Sequence, residues 1–330
     1  MSQGMTTEES TDAMHLPTLA DIYAAKIRIA PHLWHTPLFP SGALSQMTGT
    51  NLRFKGEHLQ RTGSFKSRGA LNAALQLDAQ TRARGVVTFS AGNHGQGLAF
   101  AARLAGIKCT VFMPKTAVPS KIDAIRGYGA DARFGDTIQD AIAGMQHFAD
   151  ETGALFISPF AAPEIITGQG TLALEILEDF PEVEQIIVPI GGGGLIAGVA
   201  LAVKSIKPDV RIVGVEPEGA PTLYQSLRAG KPMTLDSVQT VADGLAAPWT
   251  SPLPFAIIQR YVDDVVIVTD DEILTAMRLI MGRCKQVAEP SGSAALAALL
   301  TNKAAVPHGA HTVAILSGGN VDLQRLKGML

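Results

Sequence analysis

Short apolar runs alternate with stretches of helical period along nearly the whole chain. Residues 86–90 (VVTFS) read as a strand, and residues 96–104 as a helix that stops at Gly106. Residues 108–113 (KCTVFM) read as the next strand, and residues 120–128, after Pro119, as the next helix. Residues 185–189 (QIIVP), 211–215 and 312–316 predict further strands, with a helix over 195–206 and a short one from Val321 onward. Such βαβα alternation predicts an α/β fold whose sheet is mainly parallel and flanked by helices on both faces. No repeat or low-complexity linker marks a domain boundary. A break in the sheet order near residues 84 and 160 would set a small domain, residues 85–159, inside a larger one made of residues 15–84 and 160–330.

One helix start breaks the local rules. RTGSFKSRGAL, residues 61–71, reads as the first turns of a helix with Ser64 as N-cap and Phe65, Leu71, Ala74 and Leu75 as its apolar stripe. Lys66 and Arg68 then fall in the first turn, where the helix dipole is positive and a cation has the wrong sign. Gly69 costs about 1 kcal/mol relative to Ala in a helix interior. Local rules tend to break where function needs the residues. A lysine held against a positive helix end, beside Arg68, is expected to lose proton affinity, and a neutral amine attacks carbonyls.

Composition narrows the class. The 330 residues are 46% apolar and 17% charged, with 33 glycines, which suits a compact α/β enzyme rich in strand-to-helix turns and excludes a disordered chain. A net charge of −3 gives no basic footprint, so nucleic acid is not an expected partner. Cys109 and Cys284 form no CxxC pair and lie in or beside apolar runs, as expected of reduced core thiols in a cytoplasmic protein. Residues 1–14 are polar and acidic, do not look like a signal peptide, and are expected to form a flexible tail. No apolar run is long and glycine-free enough to span a membrane.

Strand, glycine cluster, helix is the pattern that points backbone N–H groups at an anion. It occurs three times: SAGNHGQG (residues 90–97), IGGGGL (190–195) and LSGGN (316–320). One such turn is weak evidence, since many α/β loops need glycine merely to turn. In a parallel sheet all three lie at the carboxyl ends of strands, where ligands bind. The tetraglycine gives up every side-chain contact, which suits backbone wrapped closely around a phosphate. It also has a rival reading, because Gly192, Gly194 and Ala197 fit a dinucleotide fingerprint and Glu216, 22 residues after Gly194, sits where a ribose-binding acid belongs. Taken alone, that unit also fits an NAD-dependent dehydrogenase. A nucleophilic Lys66 beside a phosphate-type turn points instead to a phosphorylated aldehyde.

The motifs TGSFKSRGA, SAGNHGQG, GQGTLALEI, VPIGGGGLIAG, GVEPEGA, VADGL, EPSGSAAL and LSGGNVD together resemble the fold-type II pyridoxal-phosphate enzymes, and among them the serine/threonine dehydratase and serine racemase family. The similarity runs from about Leu16 to the C-terminus. It implies a tryptophan-synthase-β-like fold of two domains, each with a mainly parallel twisted sheet flanked by helices. It implies pyridoxal phosphate as cofactor, held covalently by Lys66, with Phe65 near its ring and Asn93 on its phenolic oxygen. Gly191, Gly192, Gly193, Gly194 and Leu195 would bind the phosphate, and Ser317 would face the pyridine nitrogen. The substrate carboxylate would sit against Ser90, Gly92, Asn93 and His94. The implied reaction is β-elimination from a 3-hydroxy amino acid such as serine, threonine or 3-hydroxyaspartate, with Lys66 as general base, giving a 2-oxo acid and ammonia. A hydroxyl facing the ring nitrogen gives a weaker electron sink than an Asp, which suits prompt loss of a β-leaving group. A homodimer is expected by the same resemblance, and a racemase of this fold is the alternative.

Other polar residues have plainer readings. His94 is read as structural or carboxylate-binding. Glu289 either approaches the ring or simply precedes a helix capped by Ser291, and Asp243 is read as a loop brace. Three departures from relatives narrow the reading. Family racemases carry a second serine where this chain has Ala91. The divalent-cation site of some relatives maps to Glu216, Ala220 and Thr222, so one carboxylate is missing and a bound cation is doubtful. The chain also ends soon after LSGGN, so feedback control through a long C-terminal extension is not expected.

Overall fold

The structure, a computed structural model, describes residues 16–330, so the tail expected over residues 1–14 lies outside the described residues. Ten strands form two sheets among the described residues. The strands are β1 (Leu38–Pro40), β2 (Asn51–Gly56), β3 (Val86–Phe89), β4 (Cys109–Pro114), β5 (Asp131–Gly135), β6 (Leu155–Phe156), β7 (Gln185–Pro189), β8 (Arg211–Pro217), β9 (Asp264–Val268) and β10 (His311–Leu316). The larger sheet runs β1-β2-β10-β7-β8-β9, with β1 antiparallel to β2 and the other pairs parallel. The smaller runs β5-β4-β3-β6 and is wholly parallel.

The unbroken apolar runs follow from burial on both faces. Every residue of β7 is buried. Its side chains alternate between two cores, Ile186 and Val188 in one and Ile187 in the other. Strand β10 does the same, with Val313 and Ile315 on one side and Ala314 and Leu316 on the other.

The expected elements are present with shifted ends. The helix read over 96–104 spans Asn93–Ala105, and Gly106 ends it in the left-handed conformation at φ 67°. The helix read over 120–128 is Pro119–Gly127, with Pro119 in its first turn. The short terminal helix starts at Leu323, capped by Asp322.

The rule-breaking helix is Lys66–Leu75, and Ser64 is not its cap. Phe65 occupies the cap position with no side-chain hydrogen bond, while Ser64 is taken up by an isolated β-bridge to Gly318. The buried Ser64 hydroxyl has no partner. Gly69 earns its place by close packing. A Cβ there would come within 2.7 Å of Ile165 O, and one on Gly168 within 2.6 Å of Gly69 Cα. The Pro163–Asp179 helix thus touches the Lys66–Leu75 helix backbone to backbone. Two residues on, it meets the Gly194–Ile206 helix in the same way, since a Cβ on Gly198 would lie 2.6 Å from Gly170 N.

Both cysteines are free. Cys109 is buried, and burial pushes its thiol up to about 12. Cys284 corrects the expectation of two core thiols: it is half-buried, at the end of the π-helical turn Ile280–Cys284.

Candidate active site

The three glycine turns all follow carboxyl ends of parallel strands, one after β3 in the small sheet and two after the adjacent strands β7 and β10 in the large one. Lys66 lies among them at the start of its helix. The absence of a Cβ on Gly97 lets the Asn93–Ala105 helix approach the Lys66 backbone, since an added Cβ would stand 3.1 Å from the Lys66 carbonyl carbon. Lys66 Nζ donates to Pro159 O at 2.9 Å and lies 5.1 Å from the centroid of the Phe65 ring.

Burial holds the Lys66 amine down to about 8. The direction matches the sequence expectation, but the cause does not. Arg68 is itself buried, and its charge is met by two carboxylates, Glu57 (Nε to Oε2, 2.8 Å) and Glu175 (Nη1 to Oε1, 2.6 Å). A neutralised guanidinium does not repel a proton from Lys66.

The tetraglycine forms the start of the Gly194–Ile206 helix, and no side chain caps it. Gly193 has φ 97°, the left-handed region that favours glycine. Gly192 is packed against Phe160, whose ring leaves no room for a Cβ there. Thr250 Oγ1 donates to Gly192 O at 3.1 Å and fixes the turn from the other side. The uncapped N–H groups at the start of a thirteen-residue helix make an anion cradle.

In the small-sheet turn, Ser90 Oγ accepts from Gly92 N at 3.2 Å. His94 is buried, and burial together with the nearby Lys66 charge pushes its imidazole down to about 3. Its Nε2 bonds Ile157 O at 3.0 Å, so a neutral ring donates there. Such a ring is anchored to backbone and unsuited to carry a proton in turnover.

Asn93 ties the turns together. Its Nδ2 donates to Glu289 Oε1 at 2.6 Å, and its Oδ1 accepts from Asn320 Nδ2 at 2.8 Å. Burial first and Asp243 second push the Glu289 carboxyl up to about 7. Ser291 does not cap the helix after Glu289. It lies inside Pro290–Leu300, and its Oγ accepts from Gly244 N at 2.9 Å. Asp243 accepts from Lys121 at 2.7 Å and from Arg325 at 3.3 Å, as a brace does. Ser317, just after β10, is buried, and its hydroxyl has only a long contact, 3.4 Å to Ser291 O.

The cation and ribose readings of Glu216 fare differently from the rest. Glu216 is fully buried, and both carboxylate oxygens accept from the start of the Thr222–Ala229 helix, from Leu223 N and Tyr224 N at 2.8 Å each. Burial pushes its carboxyl up to about 8 against those two bonds. Thr222 Oγ1 is spent on Ala247 O at 2.6 Å. Among the described residues no group of three or more His, Cys, Asp or Glu side chains is placed to hold a metal ion.

A buried amine of low proton affinity, an uncapped glycine cradle and a weakly engaged hydroxyl fit a phosphorylated pyridine aldehyde. Sequence reasoning missed the Arg68 ion network, the Phe160 seal and the bond from Asn320 to Asn93. Arg68, Glu175 and Asn320 each lie inside one of the family motifs, whereas Phe160 lies in none, and nothing local pairs any of them with its partner.

Comparison with known proteins agrees with this geometry. The profile of the pyridoxal-phosphate dependent enzymes matches residues 29–318. The chain is 42% identical to the L-threonine ammonia-lyase of Thermotoga maritima over 310 residues, 94% of this chain and 77% of that one. It is likewise 42% identical to the serine racemase of Arabidopsis thaliana over 323 residues, 96% of this chain and 97% of that one. Among solved structures, maize serine racemase superposes with a TM-score of 0.91 at 41% identity, covering 95% of this chain and 97% of the other.

Proposed function

The chain belongs to the pyridoxal-phosphate-dependent enzyme family, and from that premise we propose that it is an ammonia-lyase, converting a 3-hydroxy amino acid such as serine, threonine or 3-hydroxyaspartate into a 2-oxo acid and ammonia. The observation that carries the reading is Lys66, a buried amine held down to about 8 between an uncapped glycine cradle and the 90–94 turn. Bound there, pyridoxal phosphate supplies an aldehyde for the substrate amine and a ring that takes up the electron pair left at Cα. Lys66 would hold the cofactor through its amine and, once the substrate amine took its place, would accept the α-proton, the β-hydroxyl leaving as water. The N–H groups of Gly191, Gly192, Gly193, Gly194 and Leu195 would bind the phosphate. Ser90, Gly92, Asn93 and His94 would orient the substrate carboxylate, Asn93 would also hold the phenolic oxygen, and Ser317 would donate to the ring nitrogen with Phe65 beside it.

Racemisation is the second reading, favoured by the similarity to serine racemases. Ala91 weighs against it, because a methyl cannot return a proton to the face opposite Lys66. We read the two sheets as two domains, residues 15–84 with 160–330 and residues 85–159. A homodimer is supported by an outward apolar stripe on the Leu19–Ile29 helix, Ala20, Tyr23, Ala24 and Ile27, at helical spacing and exposed although the opposite face is core. No described helix is long and apolar enough to cross a membrane. A cytoplasmic setting is our reading from the two unpaired thiols.

Assay of 2-oxo acid release across a panel of 3-hydroxy amino acids, with chiral chromatography of the recovered substrate, tests the function. Release from at least one member without loss of configuration is expected. Accumulation of the opposite enantiomer faster than 2-oxo acid overturns the lyase reading in favour of the racemase.

A further inference from the structure

Beneath the first turn of the Lys66–Leu75 helix lies a closed set of four charges, Lys55, Glu57, Arg68 and Glu175, all buried. Arg68 engages two carboxylates through its planar fork. Nε and Nη2 meet Glu57 Oε2 and Oε1, both at 2.8 Å, while Nη1 and Nη2 meet Glu175 Oε1 and Oε2 at 2.6 and 2.9 Å. Thr171 and Thr36 hydroxyls take further Arg68 N–H contacts at 3.2 and 3.4 Å. Lys55 Nζ completes the set, on Glu175 Oε2 at 2.6 Å and Thr36 O at 2.7 Å. Two cations therefore balance two anions. Burial alone would raise the Glu175 carboxyl, yet Arg68 and Lys55 outweigh it and hold it below the usual carboxylate range.

A buried ion set of this kind seldom stabilises more than apolar side chains of equal volume would, but it fixes orientation. Orientation is what this turn otherwise lacks. No side chain caps it, the Ser64 hydroxyl is unpartnered, and no acidic residue stands in its first turn. We propose that Arg68 is a positioning residue: its double fork onto Glu57 and Glu175 takes the place of the missing cap and aims Lys66, two residues earlier, at the cofactor. The proposal rests on the reading of Lys66 as the cofactor lysine. Glu57 follows β2, Arg68 lies in the lysine helix and Glu175 in the Pro163–Asp179 helix, so one guanidinium ties the turn to the large sheet and to its neighbour helix. Arg68→Lys keeps the charge and loses the fork, which separates orientation from electrostatics.

The test compares wild-type and Arg68→Lys holoenzyme by four readouts: the lysine to which borohydride fixes the cofactor, the pH midpoint of the bound cofactor's visible absorbance, kcat with KM, and the melting temperature. The wild type is expected to fix the cofactor at Lys66. In Arg68→Lys, kcat is expected to fall on the order of 10²-fold with KM within about threefold, as for a misplaced reacting group, and the absorbance midpoint to move by about one pH unit. A normal kcat per bound cofactor and an unmoved midpoint, whatever the melting temperature, overturn the proposal. Fixation at another lysine in the wild type overturns the Lys66 reading and the proposal with it. Should Arg68→Lys not fold, Thr36→Val removes the hydroxyl that donates to Glu57 at 2.5 Å while keeping side-chain volume. It is expected to shift kcat and the midpoint in the same directions by smaller amounts, and no change in either again overturns the proposal.

Discussion

Asn93 donates to Glu289 across 2.6 Å, and that bond joins the turn after β3 in the small sheet to the residue that opens the Pro290–Leu300 helix over the large one. The same Asn93 accepts from Asn320, beyond β10. Three separate stretches of chain thus meet at one amide. Asn93 can use its amide toward a ligand because Glu289 and Asn320 fix which end is donor and which acceptor.

Glu289 makes stability depend on pH. Its folded carboxyl is raised from 4.5 to about 7, so the folded protein binds this proton more tightly than the unfolded chain. Its contribution is present below pH 4.5 and is lost as pH rises through 7. The size is on the order of 3 kcal/mol. Urea unfolding of cofactor-free protein at pH 5 and pH 8 should show a smaller decline in Glu289→Gln than in the wild type, since Glu216 and His94 contribute alike to both. Equal declines in both proteins would mean that Glu289 does not titrate in this range.

Lys66, held down to about 8, should set the pH profile of cofactor uptake. Reconstitution of cofactor-free protein, followed by absorbance, is expected to quicken with a midpoint near 8, where an ordinary lysine would keep rising toward 10.5. Lys66→Ala should abolish both the absorbance of the covalently held cofactor and ammonia release. A variant that still turns over at near wild-type rate would remove Lys66 from the chemistry.

The parallel strands were legible because burial on both faces leaves an unbroken apolar run, as in QIIVP. The start of the Asn93–Ala105 helix was not, since Asn93, His94 and Gly95 carry no apolar period although His94 and Gly95 are buried in it. The glycine turns and Lys66 could be read locally. Arg68 could not, because its partner Glu175 stands 107 positions away and a buried ion network has no period. The Ser64 cap failed for a related reason: pairing with Gly318, far along the chain, outranked a local propensity.

Divalent cations should matter little. Glu216 already caps a helix with both oxygens, and Thr222, at the position where the resemblance places a relative's carboxylate, donates to Ala247 O. Dialysis against a strong chelator is expected to change kcat by less than about twofold, a difference under roughly 0.5 kcal/mol. Activity abolished by the chelator and restored by magnesium would establish a cation site.

Ala91 bears on reaction class. A proton must be returned from the face opposite Lys66 for racemisation, and a positioned acid there is worth about 10²-fold or more. Ala91→Ser is therefore expected to raise racemisation of serine by that order over the wild-type background. Chiral chromatography after partial turnover reads it. Racemisation that is already substantial in the wild type and unmoved by the serine would show that another group serves that face.

The Pro163–Asp179 helix presses Gly168 on Gly69 and Gly170 on Gly198. It acts as a gauge block between the helix that bears the lysine and the helix whose start forms the glycine cradle. Where backbone meets backbone at the two crossings a side chain has no room, so the separation of amine and anion cradle is set there by the main chain. Substitution has more room on the other wall, in the turn after β3 and the loops that face it. Cofactor geometry and substrate choice are thereby adjusted by different parts of the molecule, and a lineage can alter the second without recalibrating the first.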